Sequence, residues 1–256
     1  MNEIFPISSS LAARLRALTP ARIALGRTGV SLATRDLLDF QSCHARARDA
    51  VHARLETSAL AAQLAQITAT EILTLGTAAT DRATYLQRPD LGRTLDATSA
   101  NLLTEREEKS TFDLALIVAD GLSALAVERH AALLLAELLP HINGWALAPI
   151  CIVEQARVAV SDFIGAALGA RIAAILIGER PGLNSPDSLG VYITYDPRPG
   201  RTDAERTCIS NVRPEGLSYA QAAAEMAGIL KEARRLGFTG VALQNMTRQQ
   251  EARQIK

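Results

Sequence analysis

The sequence carries no net charge: 27 Lys and Arg stand against 27 Asp and Glu in 256 residues. That balance leaves no broad phosphate-neutralising surface and argues against dedicated nucleic-acid binding. Aromatic residues make up only 4%. Tyr85, Trp145, Tyr192 and Tyr195 are scattered singly along the chain, so no base-stacking platform is legible. Three cysteines, Cys43, Cys151 and Cys208, cannot all pair, and none shows C-x-x-C or His-flanked metal spacing. A reduced compartment follows. The longest aliphatic run, residues 172–177, is far short of the roughly 20 apolar residues a bilayer span needs. Residues 1–10 contain Glu3, no basic start and no A-x-A site, so a soluble intracellular protein is expected.

Several signatures are also missing. G-x-G-x-x-G, the Walker A loop and G-x-S-x-G do not occur, which removes support for dinucleotide, P-loop and nucleophile-elbow chemistry. His44, His52, His130 and His141 lack the H-x-x-x-H and H-E-x-x-H spacings of zinc sites. What is present is an ordinary globular mixture, 48% hydrophobic and 21% charged. A chain of this length buries roughly 70–75% of its unfolded surface, enough for one large or two small cores.

The composition shifts about a third of the way along. Up to about Leu75 the chain is rich in Ala, Leu and Arg at helical spacing. Leu11, Leu15 and Leu18 mark one helix, ended by Pro20, and residues 21–29 read as a connection. Thr34 opens a longer helix with Leu37, Leu38, Val51 and Leu55 as its apolar positions and Arg46, Arg48 and Arg54 as polar ones. A third is expected over residues 59–72. Residues 1–80 are therefore expected to form a helical N-terminal domain, 81–110 a connecting segment with an exposed charge cluster at 105–109, and 111–256 an α/β domain. In the last, strands are expected at 114–119, 149–153, 157–160, 171–177, 189–195 and 241–243. Helices fill 124–139, 162–168 and 218–236, closed by Pro140, Gly169 and Gly237. The alternation predicts a Rossmann-like, mostly parallel sheet with helices on its faces.

Ligands of such sheets bind beyond the carboxyl ends of the strands. Two loops satisfy that condition. Residues 120–123, Asp-Gly-Leu-Ser, follow the first buried strand, with Ser123 placed to cap the next helix. Residues 178–183, Gly-Glu-Arg-Pro-Gly-Leu, follow the strongest strand, where Gly178 and Gly182 are expected to let backbone approach a ligand. A third polar block, residues 203–211 (Asp-Ala-Glu-Arg-Thr-Cys-Ile-Ser-Asn), sets Cys208 two positions from Arg206, a candidate for the cation a reactive thiol would require. No self-sufficient catalytic set emerges from these residues.

These blocks, preceded by residues 85–93 (Tyr-Leu-Gln-Arg-Pro-Asp-Leu-Gly-Arg), occur in an order that resembles the small subunit of ethanolamine ammonia-lyase, from about Thr19 to Val241. The resemblance implies a subunit of a hetero-oligomeric lyase that uses adenosylcobalamin to convert ethanolamine to acetaldehyde and ammonia by a radical mechanism. It implies a TIM-barrel large subunit holding the substrate, with the small subunit closing over the corrinoid from the other side. The family's corrinoid contacts fall on Val158, Glu179 and Cys208, with no catalytic residue and no metal ligand in this chain. Ala156-Arg157-Val158 stands where the family usually has Gly-Arg-Val. D-x-H-x-x-G is absent, in keeping with a corrinoid that keeps its own benzimidazole as lower ligand. The resemblance favours a bacterial microcompartment. The short N-terminal extension, with Ile4, Phe5 and Ile7 as its apolar cluster, favours plain cytoplasm. A partnerless corrinoid-binding module and a structural adaptor for the large subunit are the competing readings.

Overall fold

The computed structural model describes residues 9–19, 21–106 and 111–243. Pro20, the Ile4, Phe5 and Ile7 cluster and residues 107–109 of the charge cluster lie outside them.

The first segment folds as α1 (Ser9–Ala17), a small antiparallel ribbon of β1 (Arg27–Thr28) and β2 (Ser31–Leu32), α2 (Thr34–His52) and α3 (Thr57–Ala65). Next come β3 (Ile72–Gly76), α4 (Arg82–Gln87), α5 (Ala97–Thr104), β4 (Phe112–Ala119), α6 (Ala124–Leu138) and β5 (Ile150–Glu154). The chain continues through α7 (Val160–Ala167), β6 (Ala170–Gly178), β7 (Leu189–Tyr195), β8 (Arg206–Val212) and α8 (Tyr219–Leu236). Six strands form one sheet in the order β3-β5-β4-β6-β7-β8. The first four run parallel, and β7 and β8 are antiparallel additions.

Alternation along each strand splits the core into two layers. Leu114, Leu116 and Val118 of β4 pack with Ile150 and Ile152 of β5 and Ile172 and Leu176 of β6 beneath α3, α6 and α8. Ala115, Ile117, Cys151, Val153 and Ile175 face the opposite layer, which holds Val160 and Ile164 of α7 and Leu103 of α5. Strands covered on both faces read as continuous apolar runs, which is why β4 and β6 are so plain in the sequence.

Several expectations are corrected. Residues 72–76 form the sheet's edge strand instead of the end of a helix. Residues 157–160 are not a strand: they turn into α7, whose first residue is Val160. Residues 241–243 are helical. Residues 206–211 belong to an unforeseen strand, β8. Leu37 and Leu38 are exposed rather than packed, at 43% and 59%. Ser123, Ser218 and Gly237 do cap as their residue types require: the two hydroxyls accept backbone N–H bonds, and Gly237 takes φ 82°.

The antiparallel edge is tied down by a buried ion pair. Arg206 of β8 meets Asp162 of α7 through two bonds, Nη1 to Oδ1 at 2.6 Å and Nη2 to Oδ2 at 2.7 Å. It also donates to Thr194 Oγ1 and the Arg201 carbonyl. Removing one partner strands a charge in low dielectric. Asp162→Ala is expected to cost about 3–5 kcal/mol in chemical denaturation, whereas Asp162→Leu combined with Arg206→Met recovers most of that loss.

Candidate functional site

The strands β4 and β5 are neighbours, yet their following loops leave in opposite directions, toward α6 on one face and α7 on the other. Divergence of this kind opens a crevice at the carboxyl ends of a parallel sheet. Here it is a cleft of about 400 Å³. Gly121 and Leu122 after β4, Arg157 and Val158 after β5, and Ile177–Arg180 at the end of β6 line it together with Tyr85 and Tyr192.

The sequence blocks singled out above meet around this space, and each has a mechanical reason to be there. Asp120 accepts from the Ala156 N–H at 3.1 Å, fixing the loop after β5. The Tyr85 hydroxyl donates to the Ala156 carbonyl at 2.8 Å, and the Arg157 N–H donates to the Gly92 carbonyl at 2.7 Å. The block 85–93 is thus a clamp on residues 156–157. Gly92 must be glycine because a Cβ there would sit 2.8 Å from the Gln155 carbonyl and 2.9 Å from the Tyr85 ring.

Gly178 was expected to admit a ligand; it admits protein instead. A Cβ on it would lie 2.0 Å from the Ser123 carbonyl and 2.5 Å from that of Asp120. The β4 and β6 loops touch through backbone, and the Leu122 N–H donates to the Gly178 carbonyl at 2.9 Å. Gly182 closes a local turn with Ser185 through two backbone bonds.

Val158 and Glu179 line the same cleft. Val158 lies in a turn, and its carbonyl already accepts from the Ser161 N–H and hydroxyl. It therefore offers the cleft its side chain and its N–H. Glu179 does not pair with Arg180. Its Oε2 accepts from the Ser188 hydroxyl and from the Asn211 N–H at 3.3 Å, which leaves Oε1 without a hydrogen-bond donor among the described residues. Cys208 stands one strand further out. It is the cross-strand partner of Tyr192, not a lining residue. Arg206 is engaged by Asp162, and the Cys208 thiol meets the Ser210 hydroxyl at 3.4 Å instead. Burial pushes the Tyr192 phenol upward, and the neighbouring Cys208 and Glu179 push it the same way.

Two contributors escaped the sequence reading. Arg82 is buried and donates to Asp120, the Gly121 and Val51 carbonyls, and the Gln155 side chain. Arg157 lies with its guanidinium carbon 4.5 Å from the centre of the Tyr85 ring. Neither belongs to a recognisable spacing: Arg82 directly follows the helix-capping Asp81, and Arg157 lies inside the quoted block 156–158.

Residues 9–244 match the family model "Ethanolamine ammonia-lyase light chain (EutC)". The chain belongs to the ethanolamine ammonia-lyase light chain family. It is 61% identical over 234 residues to the ethanolamine ammonia-lyase small subunit of Ralstonia nicotianae, covering 90% of this chain and 86% of that one. It is 55% identical over 249 residues to the small subunit from Azotobacter vinelandii, covering 96% and 92%. Membership makes it the small chain of a multi-subunit lyase, which implies a large-subunit partner. Among the described residues no helix is long and apolar enough to cross a membrane.

The loop that begins at Glu179 is held at its far end by Asp187, which receives Arg129 at 2.8 Å. His130 Nδ1 shares a hydrogen bond with the Tyr219 hydroxyl, and its Nε2 lies 3.5 Å from Asp187. Burial lowers the His130 pKa from 6.5, opposed by Asp187 and reinforced by Arg129. A histidine with a lowered folded pKa favours the neutral ring in the native state. Its contribution is therefore complete above the unfolded value and lost as pH falls below 6.5. Unfolding free energy is expected to drop as pH falls below about 6.5, with a shallower drop in His130→Gln. Gly178→Ala is expected to cost at least the roughly 1–3 kcal/mol of an overpacked position. Gly228→Ala, on an exposed helical site with nothing within 4 Å, serves as control and should gain about 0.5–1 kcal/mol.

Proposed function

We propose that this chain forms one wall of a corrinoid site in adenosylcobalamin-dependent ethanolamine ammonia-lyase, with the TIM-barrel large subunit forming the other wall and holding the substrate. The reaction is conversion of ethanolamine to acetaldehyde and ammonia. One observation carries the reading: blocks far apart in the chain converge on a single strand-end cleft whose wall holds an acceptor with one unengaged oxygen, Glu179 Oε1.

The donor set fits a corrinoid rim, which is apolar in its ring plane and edged with amide groups. Val158, Leu122 and Ile177 supply packing surface, and Glu179 supplies an acceptor for amide N–H groups. At about 400 Å³ the cleft is open and receives an edge instead of enclosing a whole macrocycle, in keeping with a site completed by a second subunit. When bound, the cofactor supplies the radical initiation. This chain's residues bind and orient. Glu179 is fixed through Oε2 by Ser188 and Asn211, and its Oε1 has no donor among the described residues. Cys208 supports the position of Tyr192 from the adjoining strand. The family resemblance also supports packaging in a bacterial microcompartment.

Ethanolamine deamination with added adenosylcobalamin is measured for this chain alone, the cognate large subunit alone, and the mixture. Activity is expected only in the mixture; full activity from the large subunit alone overturns the shared-site reading. In the mixture, Glu179→Gln is expected to weaken cofactor affinity by about tenfold to a hundredfold with association intact, the worth of a charge-assisted hydrogen bond. Lost association would instead make the loop an element of the subunit contact.

A further inference from the structure

The cleft contains a cation that the fold holds rigidly yet leaves unneutralised. Arg157 has no carboxylate partner among the described residues, and its Nε is buried with no hydrogen-bond acceptor. Among the described residues, the two buried arginines, Arg82 and Arg206, each have a carboxylate, Asp120 and Asp162. Arg157 is placed instead by an aromatic ring. Tyr85 is fully buried and locked by its bond to the Ala156 carbonyl. The Arg157 guanidinium lies 4.5 Å from the centre of that ring, and the Arg82 guanidinium 4.9 Å. The two cations are close enough for Arg157 to disfavour the charge on Arg82, so one carboxylate, Asp120, serves a site carrying two positive charges. A desolvated donor with no acceptor is unfavourable in the protein alone, and a ligand oxygen removes that penalty.

We propose that Arg157 is the second polar anchor of this cleft, donating to an electron-rich oxygen of the bound corrinoid, with Tyr85 as the shelf that aims it. The inference rests on the corrinoid reading above and adds a donor to the acceptor Glu179. The wall then presents both halves of an amide-recognising pair. Two corrinoid oxygens have the required chemistry: a carbonyl of a peripheral amide and a phosphodiester oxygen of the nucleotide tail. A guanidinium suits either, and its planar fork is poorly replaced by an ammonium.

The test uses the enzyme assembled with its large subunit and follows corrinoid affinity by visible-absorbance titration. Arg157→Met and Arg157→Gln are expected to weaken adenosylcobalamin binding by about tenfold to a hundredfold, with partial recovery in Arg157→Lys. Repeating the titration with adenosylcobinamide, which lacks the nucleotide tail, separates the two oxygens. A penalty that persists assigns the amide carbonyl, and one that vanishes assigns the phosphodiester. Binding within about twofold of the unaltered enzyme in both variants, while Glu179→Gln still weakens it, overturns the role of Arg157 and leaves the site standing. No effect from any of these variants, Glu179→Gln included, overturns the corrinoid reading of the cleft as well. Failure of both variants to assemble would make Arg157 part of the frame and overturn the proposal too.

Discussion

The buried pair between Arg82 and Asp120 is the contact on which the arrangement of the cleft depends. Arg82 Nη1 lies 3.3 Å from Asp120 Oδ2, and both side chains are almost wholly removed from solvent. Burial is the leading influence on each partner: it raises the Asp120 pKa to about 6 and lowers that of Arg82, while the opposite charge resists both shifts. Desolvation thus outweighs mutual attraction on either side, and a well-packed apolar pair would be no less stable. What the ion pair supplies is placement. Through Arg82 the end of α2, the loop after β4 and the loop after β5 share one cation. Through Asp120 the backbone of Ala156 is drawn to the end of β4.

Placement propagates outward from there. With Ala156 fixed, Arg157 and Val158 have a defined exit from β5, and Tyr85 closes over the same segment from α4. Gln155, the residue just before, takes φ 54°, a conformation rare for a side-chain-bearing residue, and its carbonyl accepts from the Thr77 hydroxyl. On the other side of β4 the glycines at 121 and 178 allow two strand-end loops to touch through backbone atoms alone. The second buried pair, Arg206 with Asp162, does the corresponding work for the antiparallel edge and keeps β8, and with it Cys208, in register behind Tyr192. The cleft is therefore a consequence of two buried ion pairs and one glycine contact.

Legibility in the sequence followed this division. Strands β4 and β6 were plain because burial on both faces leaves no polar position to interrupt the run. The edge strand β3 reads as the end of a helix because Ile72 and Leu75 continue the apolar spacing of an Ala-rich stretch, and pairing on one side alone leaves no stronger mark. Residues 157–160 alternate as a strand would, but the clamp from Gly92 and Tyr85 turns them toward α7. The position of the site was readable from strand-end loops. The reason for its glycines was not, because close packing against Ser123 and Asp120 is a tertiary fact. Arg82 was invisible for the same reason: nothing local distinguishes an arginine that will be buried from one on a solvated helix.

The side chains that do face the cleft share a design. Each polar group is tied to the frame by one of its atoms and keeps another for a partner. Glu179 gives Oε2 to Ser188 and Asn211 and keeps Oε1. Arg157 is pinned through its backbone to Gly92 and through its face to Tyr85, leaving its Nε without an acceptor among the described residues. Val158 gives its carbonyl to Ser161 and retains its side chain. A wall prepared in this way loses little conformational freedom when a ligand edge arrives, since the rotamers that must be selected are already selected. In the proposed shared site, a large, many-armed ligand would place that demand on each wall separately. Neither subunit would surround such a ligand, so each wall would have to hold its groups in place before the other closed on it.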